Sequence, residues 1–306
     1  MTPPATETWT TRKLLAWMGK TFSAKSLDQP RLLAEMLLAH VIGCDRLKLY
    51  TDADRPASPM ERDMLRDLVG RALKHEPVQY LVGTGWFFGL EFQTDARALI
   101  PRPSTETIIE YVLQHHRAAH GPSNQRGDGT LIADVCTGSG CIGVTLAKRL
   151  PLARIVVSDI SDAALTLARE NAARHAVAER IEFLCGDLLS PLAAHPATAG
   201  EQSLDYLVSN PPYIPDSEWE AVEPNVKEHE PTLALRGGPD GLAFVRPLIE
   251  SGPRLLRSGG LLIIEVAAAC APAACELASG HPLLSDVVVV RDFEGLERVV
   301  VGKRVA

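Results

Sequence analysis

The chain has 306 residues, of which 46% are hydrophobic and 23% charged. This composition is typical of a globular protein and excludes a disordered, collagen-like or membrane-spanning chain. The longest apolar stretch, residues 261–274, contains Glu265 and is shorter than the ~20 residues of a transmembrane helix. The first twenty residues hold charged side chains and no apolar block, so we expect no secretory leader or anchor and a cytoplasmic protein.

The net charge of −7 is unevenly distributed along the chain. Residues 1–120 hold 15 basic and 14 acidic side chains, whereas residues 121–306 hold 16 and 24. The acidic second part is a poor surface for phosphates, so we expect no direct contact with nucleic acid. Within it, residues 216–230 contain six acidic residues and a single basic residue, Lys227. This excess of negative charge indicates either a solvated loop or an edge that admits a neutral or basic protein.

The cysteines argue against a metal site. They form no Cys-x-x-Cys pair and have no histidine at zinc-finger spacing, so we expect reduced thiols, no disulfide framework and no metal. The six are Cys44, Cys136, Cys141, Cys185, Cys270 and Cys275.

The first eighty residues have the pattern of a helical domain. Apolar residues recur at steps of three and four between Leu32 and Val41, and Gly43 stands where a helix commonly ends. A second helix is predicted to begin after Ser58, which forms a capping box with Glu61.

Residues 81–120 are expected to form a β-hairpin and a linking helix. Aromatic residues and glycines alternate between Val82 and Asp95, which favours two short strands. At the end of the helix, His115 and His116 are expected to face solvent.

Residues 121–306 alternate between strand and helix patterns, which is typical of a mainly parallel sheet covered on both faces. The predicted fold is therefore α/β, with residues 1–80 as a separate helical domain. The predicted strands are Leu131–Val135, Arg154–Ser158, Arg180–Leu184, Leu204–Val208, Leu261–Val266, Val287–Arg291 and Glu297–Val301.

A glycine-rich turn lies between the first strand of this part and the helix that follows. Its glycines allow a tight turn and let a ligand approach the backbone closely. Asp159, nineteen residues after Gly140, is placed to accept hydrogen bonds from two ribose hydroxyls, so a nucleoside-containing cofactor is expected. The cofactor-binding residues expected in the turn are Asp134, Cys136, Thr137, Gly138, Ser139 and Gly140.

The charge near the turn indicates which cofactor binds. A dinucleotide brings an anionic pyrophosphate, whereas Asp134 beside the turn suits a cofactor with an ammonium and a sulfonium group. This favours S-adenosylmethionine over a dinucleotide. After the third strand, Asp187 is placed to accept from the adenine amino group, and Leu188 to pack against the adenine ring.

The fourth strand is followed by Asn210-Pro211-Pro212-Tyr213, which is expected to stand at the carboxyl end of the sheet, where ligands bind. The two prolines have no N–H donors, so the bend offers acceptors. The Asn210 side-chain oxygen and the Pro211 carbonyl can accept both hydrogens of a planar NH2 group, with Tyr213 lying against that group. Asn210 is also expected to contact the cofactor. Holding the nitrogen in line with a methyl donor lowers the barrier by roughly 7–11 kcal/mol, so no strong general base is required.

With these motifs, the chain resembles the protein-glutamine N5-methyltransferases, most closely the peptide chain release factor glutamine methyltransferases. The resemblance runs from the helix at Arg31 to the end of the chain. Its further motifs are Glu76-Pro-Val-Gln-Tyr80, Leu99-Ile-Pro-Arg-Pro-Ser-Thr-Glu106, Glu228-His-Glu-Pro231, Gly237-Gly-Pro-Asp-Gly241 and Arg298-Val-Val-Val-Gly302.

The resemblance implies a Rossmann-like class I methyltransferase fold that uses S-adenosyl-L-methionine and releases S-adenosyl-L-homocysteine. The implied substrate is the glutamine of the Gly-Gly-Gln motif in a class I peptide chain release factor, which the helical domain recognises. A monomer is expected. Three features depart from the family pattern: Cys136 replaces a glycine, Ser104 replaces an acidic residue, and the segment after Glu265 differs.

Several alternatives stay open from the sequence. A sibling enzyme that methylates a ribosomal protein of the large subunit shares the Cys-Thr-Gly-Ser-Gly turn. An adenine N6-methyltransferase shares Asn-Pro-Pro-Tyr, but it requires a basic groove. If the chain were a dinucleotide-dependent oxidoreductase, Asn210 and Tyr213 would have no role. If it were a binding module without catalytic activity, it would tolerate replacement of Asn210.

Overall fold

The computed structural model describes residues 8–121, 127, 129–196, 198 and 203–306. The chain forms two compact units. The first comprises the described residues up to Gly83 together with Pro224–His229, and the second comprises the described residues of 84–223 and of 230–306. The expected three-part division stays a prediction, although in the structure the hairpin and the helix after it belong to the same unit as the sheet.

The first unit is helical. Its core is formed by buried residues such as Met18, Phe22 and Leu37. Among the residues that the structure describes, no helix is long and apolar enough to cross a membrane. Its helices are α1 (Thr11–Ala24), α2 (Pro30–Ile42), α3 (Lys48–Thr51), α4 (Pro59–Ala72), α5 (Val78–Val82) and, further along the chain, α10 (Pro224–Lys227).

The helix boundaries read from the sequence are confirmed in this unit. The Ser58 hydroxyl accepts a hydrogen bond from the Glu61 N–H at 3.2 Å, and the Glu61 carboxylate accepts one from the Ser58 N–H at 2.7 Å. Gly43 ends α2 in the left-handed conformation, with φ of 72°. Each cap satisfies backbone groups that the helix itself leaves without partners.

The second unit contains a two-stranded hairpin and a seven-stranded sheet. The hairpin strands are β1 (Thr84–Phe87) and β2 (Leu90–Gln93). The sheet has the order β5-β4-β3-β6-β7-β9-β8, and only its β7–β9 and β9–β8 pairs are antiparallel. The sheet strands are β3 (Leu131–Val135), β4 (Arg154–Asp159), β5 (Ile181–Cys185), β6 (Leu204–Ser209), β7 (Leu256–Glu265), β8 (Leu284–Arg291) and β9 (Glu297–Arg304).

Helices cover both faces of this sheet, as the sequence predicts. Alternate residues of β3 belong to different cores: Ile132 packs with residues of α6, α7 and α8, whereas Ala133 packs with residues of α9, α11 and α12. A strand that is buried on both faces reads as a continuous apolar run. The helices are α6 (Glu106–His120), α7 (Cys141–Arg149), α8 (Asp162–Arg174), α9 (Ser190–Ala194), α11 (Val245–Ser251) and α12 (Ala271–Ser279).

The expectation that two histidines at the end of α6 face solvent was wrong. His116 is fully buried, and the His115 ring nitrogen lies 3.0 Å from the hydroxyl of the buried Tyr206. The tyrosine hydroxyl needs a partner inside the core, and a histidine one helical turn from the end of α6 provides it.

Replacing Ser58 with alanine removes one half of the capping box. We expect α4 to lose about 1 kcal/mol of stability, which corresponds to about fivefold faster amide hydrogen exchange in its first turns. The matched control is Ser23→Ala, at an exposed position near the end of α1, which should leave exchange in α4 unchanged. Equal exchange in the two variants would contradict the role assigned to the cap.

Candidate active site

The site is organised by the parallel pairing of β3 with β6. Sheet order reverses here, because β4 follows on the far side of β3. Val135 pairs with Ser209 at the carboxyl ends of the two strands, and the Ser209 hydroxyl donates to the Val135 carbonyl at 2.7 Å. The glycine-rich turn after β3 and the Asn-Pro-Pro-Tyr bend after β6 therefore begin side by side at the edge where ligands bind in such sheets.

Asp134 does not occupy the place that the sequence indicated for it. The residue is fully buried, and one carboxylate oxygen accepts from the Thr137 hydroxyl at 2.5 Å and from the Gly143 N–H at 3.0 Å. It does not line the cavity described below, so an ion pair with a cofactor ammonium has no support in this placement. Burial raises the pKa of Asp134 to about 7. Asp134 instead stabilises the glycine-rich turn through these two hydrogen bonds.

The backbone of the turn requires small residues. Cys136, Gly138 and Gly140 all have positive φ angles, of 60°, 54° and 80°. A Cβ atom on Gly140 would lie 3.0 Å from the Cβ of Ala168, and one on Gly143 would lie 2.6 Å from Val157 Cγ1. The glycines therefore let α7 begin against α8 and β4, and Cys136 adopts a left-handed conformation where the family pattern has glycine.

Asn171, which the sequence gave no reason to select, fastens the turn to the hairpin. This fully buried residue of α8 donates from Nδ2 to the Ser139 carbonyl at 2.9 Å and to the Gln93 carbonyl at 3.2 Å. Its Oδ1 accepts from the Gln93 N–H at 2.7 Å. A single amide side chain thus satisfies backbone groups on β2 and on the glycine-rich turn.

Asp159 lies at the end of β4 and faces the cavity, as expected. One of its oxygens accepts from the Gly138 N–H and the other from the Ser161 N–H, each at 2.9 Å. Burial raises the pKa of Asp159, and the backbone N–H donors oppose this shift. A carboxylate oxygen can accept two hydrogen bonds, so each oxygen of Asp159 can still accept one from a ribose hydroxyl.

A cavity of about 1030 Å³, its open mouth included, lies over these strand ends. Of the residues expected at the site, those that line it are Cys136, Thr137, Gly138, Ser139, Asp159, Asp187, Leu188, Asn210 and Pro212. Those outside the lining are Asp134, Gly140, Pro211 and Tyr213. The proposed contacts of the lining residues with a cofactor remain predictions.

The cavity also has apolar walls that the sequence reasoning missed. Ile160, an exposed isoleucine directly after Asp159, lines the cavity, as do Leu188 and Phe244. The signal for Ile160 in the sequence was an apolar residue directly after a carboxylate at the end of a strand. No comparable signal marked Phe244, which enters from a distant part of the chain.

A loop after the hairpin forms a further wall of the cavity, and a buried carboxylate holds it. Glu230, only 4% exposed, accepts from the Ile100 N–H at 2.9 Å and from the Arg102 guanidinium. Both partners line the cavity. The six acidic residues between positions 216 and 230 are therefore not uniformly solvated, because the last of them, Glu230, is buried against the cavity wall. Asp216, another of the six, pairs with Arg236.

The Asn-Pro-Pro-Tyr bend presents an oriented amide to the cavity. Asn210 is half-buried, and its Nδ2 donates to the hydroxyl of the buried Thr105 at 3.1 Å. This bond uses one of the two Nδ2 hydrogens, and Asn210 Oδ1 is an acceptor that a ligand can use. Thr105 was not selected from the sequence, although it lies in the Leu99–Glu106 motif.

Tyr213 turns away from the cavity toward β7. Its hydroxyl lies 3.4 Å from Glu265 Oε1, and burial, aided by the negative Glu265, raises its pKa. The glycines of the Gly-Gly-Pro-Asp-Gly motif pack directly on its backbone: a Cβ on Gly237 would lie 2.6 Å from Tyr213 Cα, and one on Gly241 would lie 2.6 Å from its carbonyl oxygen. The motif therefore fixes the bend. This placement gives no support to the expected stacking of Tyr213 on a substrate amide.

The residues present fit an adenosine-containing methyl donor. The turn offers a backbone without a Cβ atom at Gly138, Asp159 offers acceptors, and Ile160 and Leu188 offer apolar surface for a base. Among the described residues, no group of three or more His, Cys, Asp or Glu side chains could hold a metal ion.

Comparison with known families agrees with this interpretation. Residues 13–83 match the PrmC N-terminal domain, and residues 122–234 match the methyltransferase small domain. Among solved structures, the METTL16 methyltransferase domain lacking its N-terminal part superposes with a TM-score of 0.50 at 18% identity, covering 70% of this chain and 88% of that one, which supports the fold. Fold and site together define an S-adenosylmethionine-dependent methyltransferase.

Full-length relatives identify the family. The release factor glutamine methyltransferase of Chlorobaculum tepidum is 42% identical over 96% of this chain and 97% of its own. That of Geobacter sulfurreducens is 40% identical over 97% and 98%, and that of Rhodopirellula baltica is 35% identical over 95% of both. The chain belongs to the release factor glutamine methyltransferase family.

The buried Asp134 carboxylate gives a test based on pH. Its pKa is about 7 in the folded chain against an ordinary 3.8, so the folded state retains a proton that the unfolded state has released. Between these values, Asp134 makes wild-type stability fall as pH rises. Asp134→Asn removes this contribution, so its free energy of unfolding should decline less than that of the wild type between about pH 5 and about pH 8.

Urea denaturation of both proteins at the two pH values measures this difference, and all other titrating groups cancel in the comparison. Parallel declines would show that Asp134 has the same pKa in both states, contrary to its burial.

Proposed function

We propose that this chain transfers a methyl group from S-adenosylmethionine to the side-chain nitrogen of the glutamine in the Gly-Gly-Gln motif of class I release factors. The observation that carries the proposal is the orientation of Asn210. Its Nδ2 is bound by Thr105, and the residue lines the cavity beside the cofactor turn. An acceptor held in this way suits a primary amide, which has two hydrogens to donate.

The chemistry required of the protein is chiefly positioning. When bound, S-adenosylmethionine supplies a methyl group on a positively charged sulfur. Asn210 Oδ1 accepts one hydrogen of the glutamine NH2 group and the Pro211 carbonyl accepts the other, which turns the nitrogen lone pair toward the methyl carbon. With the donor bound, the nitrogen–carbon bond would form as the carbon–sulfur bond breaks, and the extra proton on nitrogen would pass to solvent. Fixed geometry of this kind contributes roughly 7–11 kcal/mol.

The charge of the chain favours a protein over a nucleic acid as the substrate. Residues 121–306, which contribute most of the cavity lining, hold 16 basic and 24 acidic side chains, and this excess repels a phosphate backbone. A ribosomal protein would present the same amide chemistry, so the choice of release factor rests on the names of the full-length relatives. The proposed reaction takes place in the cytoplasm, where translation terminates, and the proposed state of the enzyme is a monomer.

Incubation with S-adenosylmethionine and either a class I release factor or a large-subunit ribosomal protein tests the substrate. We expect mass spectrometry to find one added methyl group, on the glutamine of the Gly-Gly-Gln motif. A release factor with glutamate in place of that glutamine is the matched control and should remain unmodified. Modification of the ribosomal protein alone, or of adenine in an oligonucleotide control, would contradict the proposal.

Replacement of Asn210 tests the mechanism. Asn210→Ala removes the oriented acceptor, and loss of one such group typically lowers kcat by about 100- to 1000-fold. Cofactor affinity, measured by calorimetry, should change by less than about threefold, because the turn and Asp159 are untouched. A kcat within about threefold of the wild type, with cofactor still bound, would support a binding module without chemistry.

A further inference from the structure

One buried side chain joins the glycine-rich turn to the hairpin, and the mechanism described so far gives it no role. Asn171 lies in α8 and is fully buried. Its amide contacts two segments that are far from it in sequence, the turn at Ser139 and strand β2 at Gln93. Because Ser139 lines the cavity, Asn171 is bonded directly to a residue of the site.

The partners of Asn171 determine the orientation of its amide. Nδ2 has two hydrogens, and it lies 2.9 Å from the Ser139 carbonyl oxygen and 3.2 Å from the Gln93 carbonyl oxygen, so each hydrogen has an acceptor. Oδ1 accepts from the Gln93 N–H at 2.7 Å. The opposite orientation would place an oxygen against two carbonyl oxygens. A carboxylate of the same shape cannot donate either of these bonds.

The turn needs such an attachment because its backbone has unusual freedom. Gly138 and Gly140, on either side of Ser139, both have positive φ angles, and glycine moves readily between this region and others. Gly140 packs on α8, where an added Cβ would lie 3.0 Å from the Cβ of Ala168. Packing therefore holds one glycine against α8, and the Asn171 bond fixes the carbonyl that precedes it.

The same helix also supplies partners for the backbone of the hairpin, which as a two-stranded sheet is marginally stable alone. The Gln93 N–H and carbonyl bind Asn171, and the Glu91 carbonyl oxygen lies 2.9 Å from a ring nitrogen of His175. Asn171 and His175 are four residues apart and share one face of α8. His175 bonds the hairpin through its ring, whereas Asn171 bonds both the hairpin and the turn.

We propose that Asn171 is a positioning residue of the cofactor site, which holds the glycine-rich turn in the conformation that binds S-adenosylmethionine and couples this turn to the hairpin. Without it, only a fraction of the molecules would have the competent turn, and the affinity for the cofactor would fall by that fraction. The inference concerns the cofactor and does not depend on which protein is methylated.

Two variants of Asn171 test the positioning role. Asn171→Asp and Asn171→Leu both remove the two donated bonds at little change in volume. We expect calorimetry to give a dissociation constant for S-adenosylhomocysteine about 10-fold higher than that of the wild type, as when about a tenth of the molecules have the competent turn. With saturating S-adenosylmethionine, kcat and the KM of the protein substrate should stay within about threefold, because the Asn-Pro-Pro-Tyr bend is untouched.

His175→Ala is the matched control, since it removes a bond between the same helix and the same strand but leaves the bond to Ser139 in place. Its affinity for S-adenosylhomocysteine should stay within about threefold of the wild type. An unchanged dissociation constant in both Asn171 variants would overturn the inference, because the turn would then keep its shape without Asn171. An equal loss in His175→Ala would also overturn it, because any loosening of the hairpin would then have the same effect.

A measurement on the wild type decides the matter even if the variants do not fold. Saturating S-adenosylhomocysteine should slow amide hydrogen exchange at Gln93, whose N–H donates to Asn171, by about fivefold. The reference is the N–H of Phe88, also in the hairpin, which donates to Glu106 Oε1 at 2.7 Å and should change by less than about twofold. Unchanged exchange at Gln93, or equal slowing at Gln93 and Phe88, would overturn the inference.

Discussion

The site depends on the parallel pairing of β3 with β6, which places the glycine-rich turn and the Asn-Pro-Pro-Tyr bend next to each other. Val135 and Ser209 are partners at the ends of these strands, and the Ser209 hydroxyl binds the Val135 carbonyl. Because both loops leave the sheet at this pair, a methyl donor held by one lies close to an amide held by the other. The reaction as proposed needs little else besides orientation.

Buried carboxylates provide much of that orientation. Asp134 holds the cofactor turn through Thr137 and Gly143, and Glu230 holds the wall of the cavity through Ile100. Glu265 stands behind the substrate bend. Burying a carboxylate is costly, and the hydrogen bonds that Asp134 and Glu230 accept from these segments offset part of that cost. The same interactions that stabilise the carboxylates thus restrain the loops.

The sequence was sufficient to predict the architecture and the location of the site. Strand β3 was predicted at its observed limits, β4, β5 and β6 agree within one residue at each end, and the capping box at Ser58 was confirmed. Strands β7 and β8 begin five and three residues earlier than predicted, and β9 ends three residues later. These features follow from local periodicity and short motifs. The position of Asn210 beside the glycine turn followed from the rule that ligands bind where sheet order reverses.

The sequence could not show which way individual side chains turn. Asp134 lies in a motif that suggests a ligand contact, but its buried neighbours Thr137 and Gly143 offer donors that satisfy it inside the protein. Tyr213 was expected against the substrate and instead faces Glu265, some fifty residues away in sequence. Thr105, Asn171 and Glu230 were missed for the same reason, because their partners come from distant segments that only the folded chain brings together.

The most direct test of the central claim is a crystal structure of the protein with S-adenosylhomocysteine and a peptide that contains the Gly-Gly-Gln motif. We expect the glutamine nitrogen to lie about 2.9 Å from Asn210 Oδ1, a normal hydrogen-bond distance, and to face the cofactor sulfur. A glutamine bound elsewhere, or an Asn210 amide that directs its nitrogen at the substrate, would show that Asn210 Oδ1 is not the acceptor that positions the substrate.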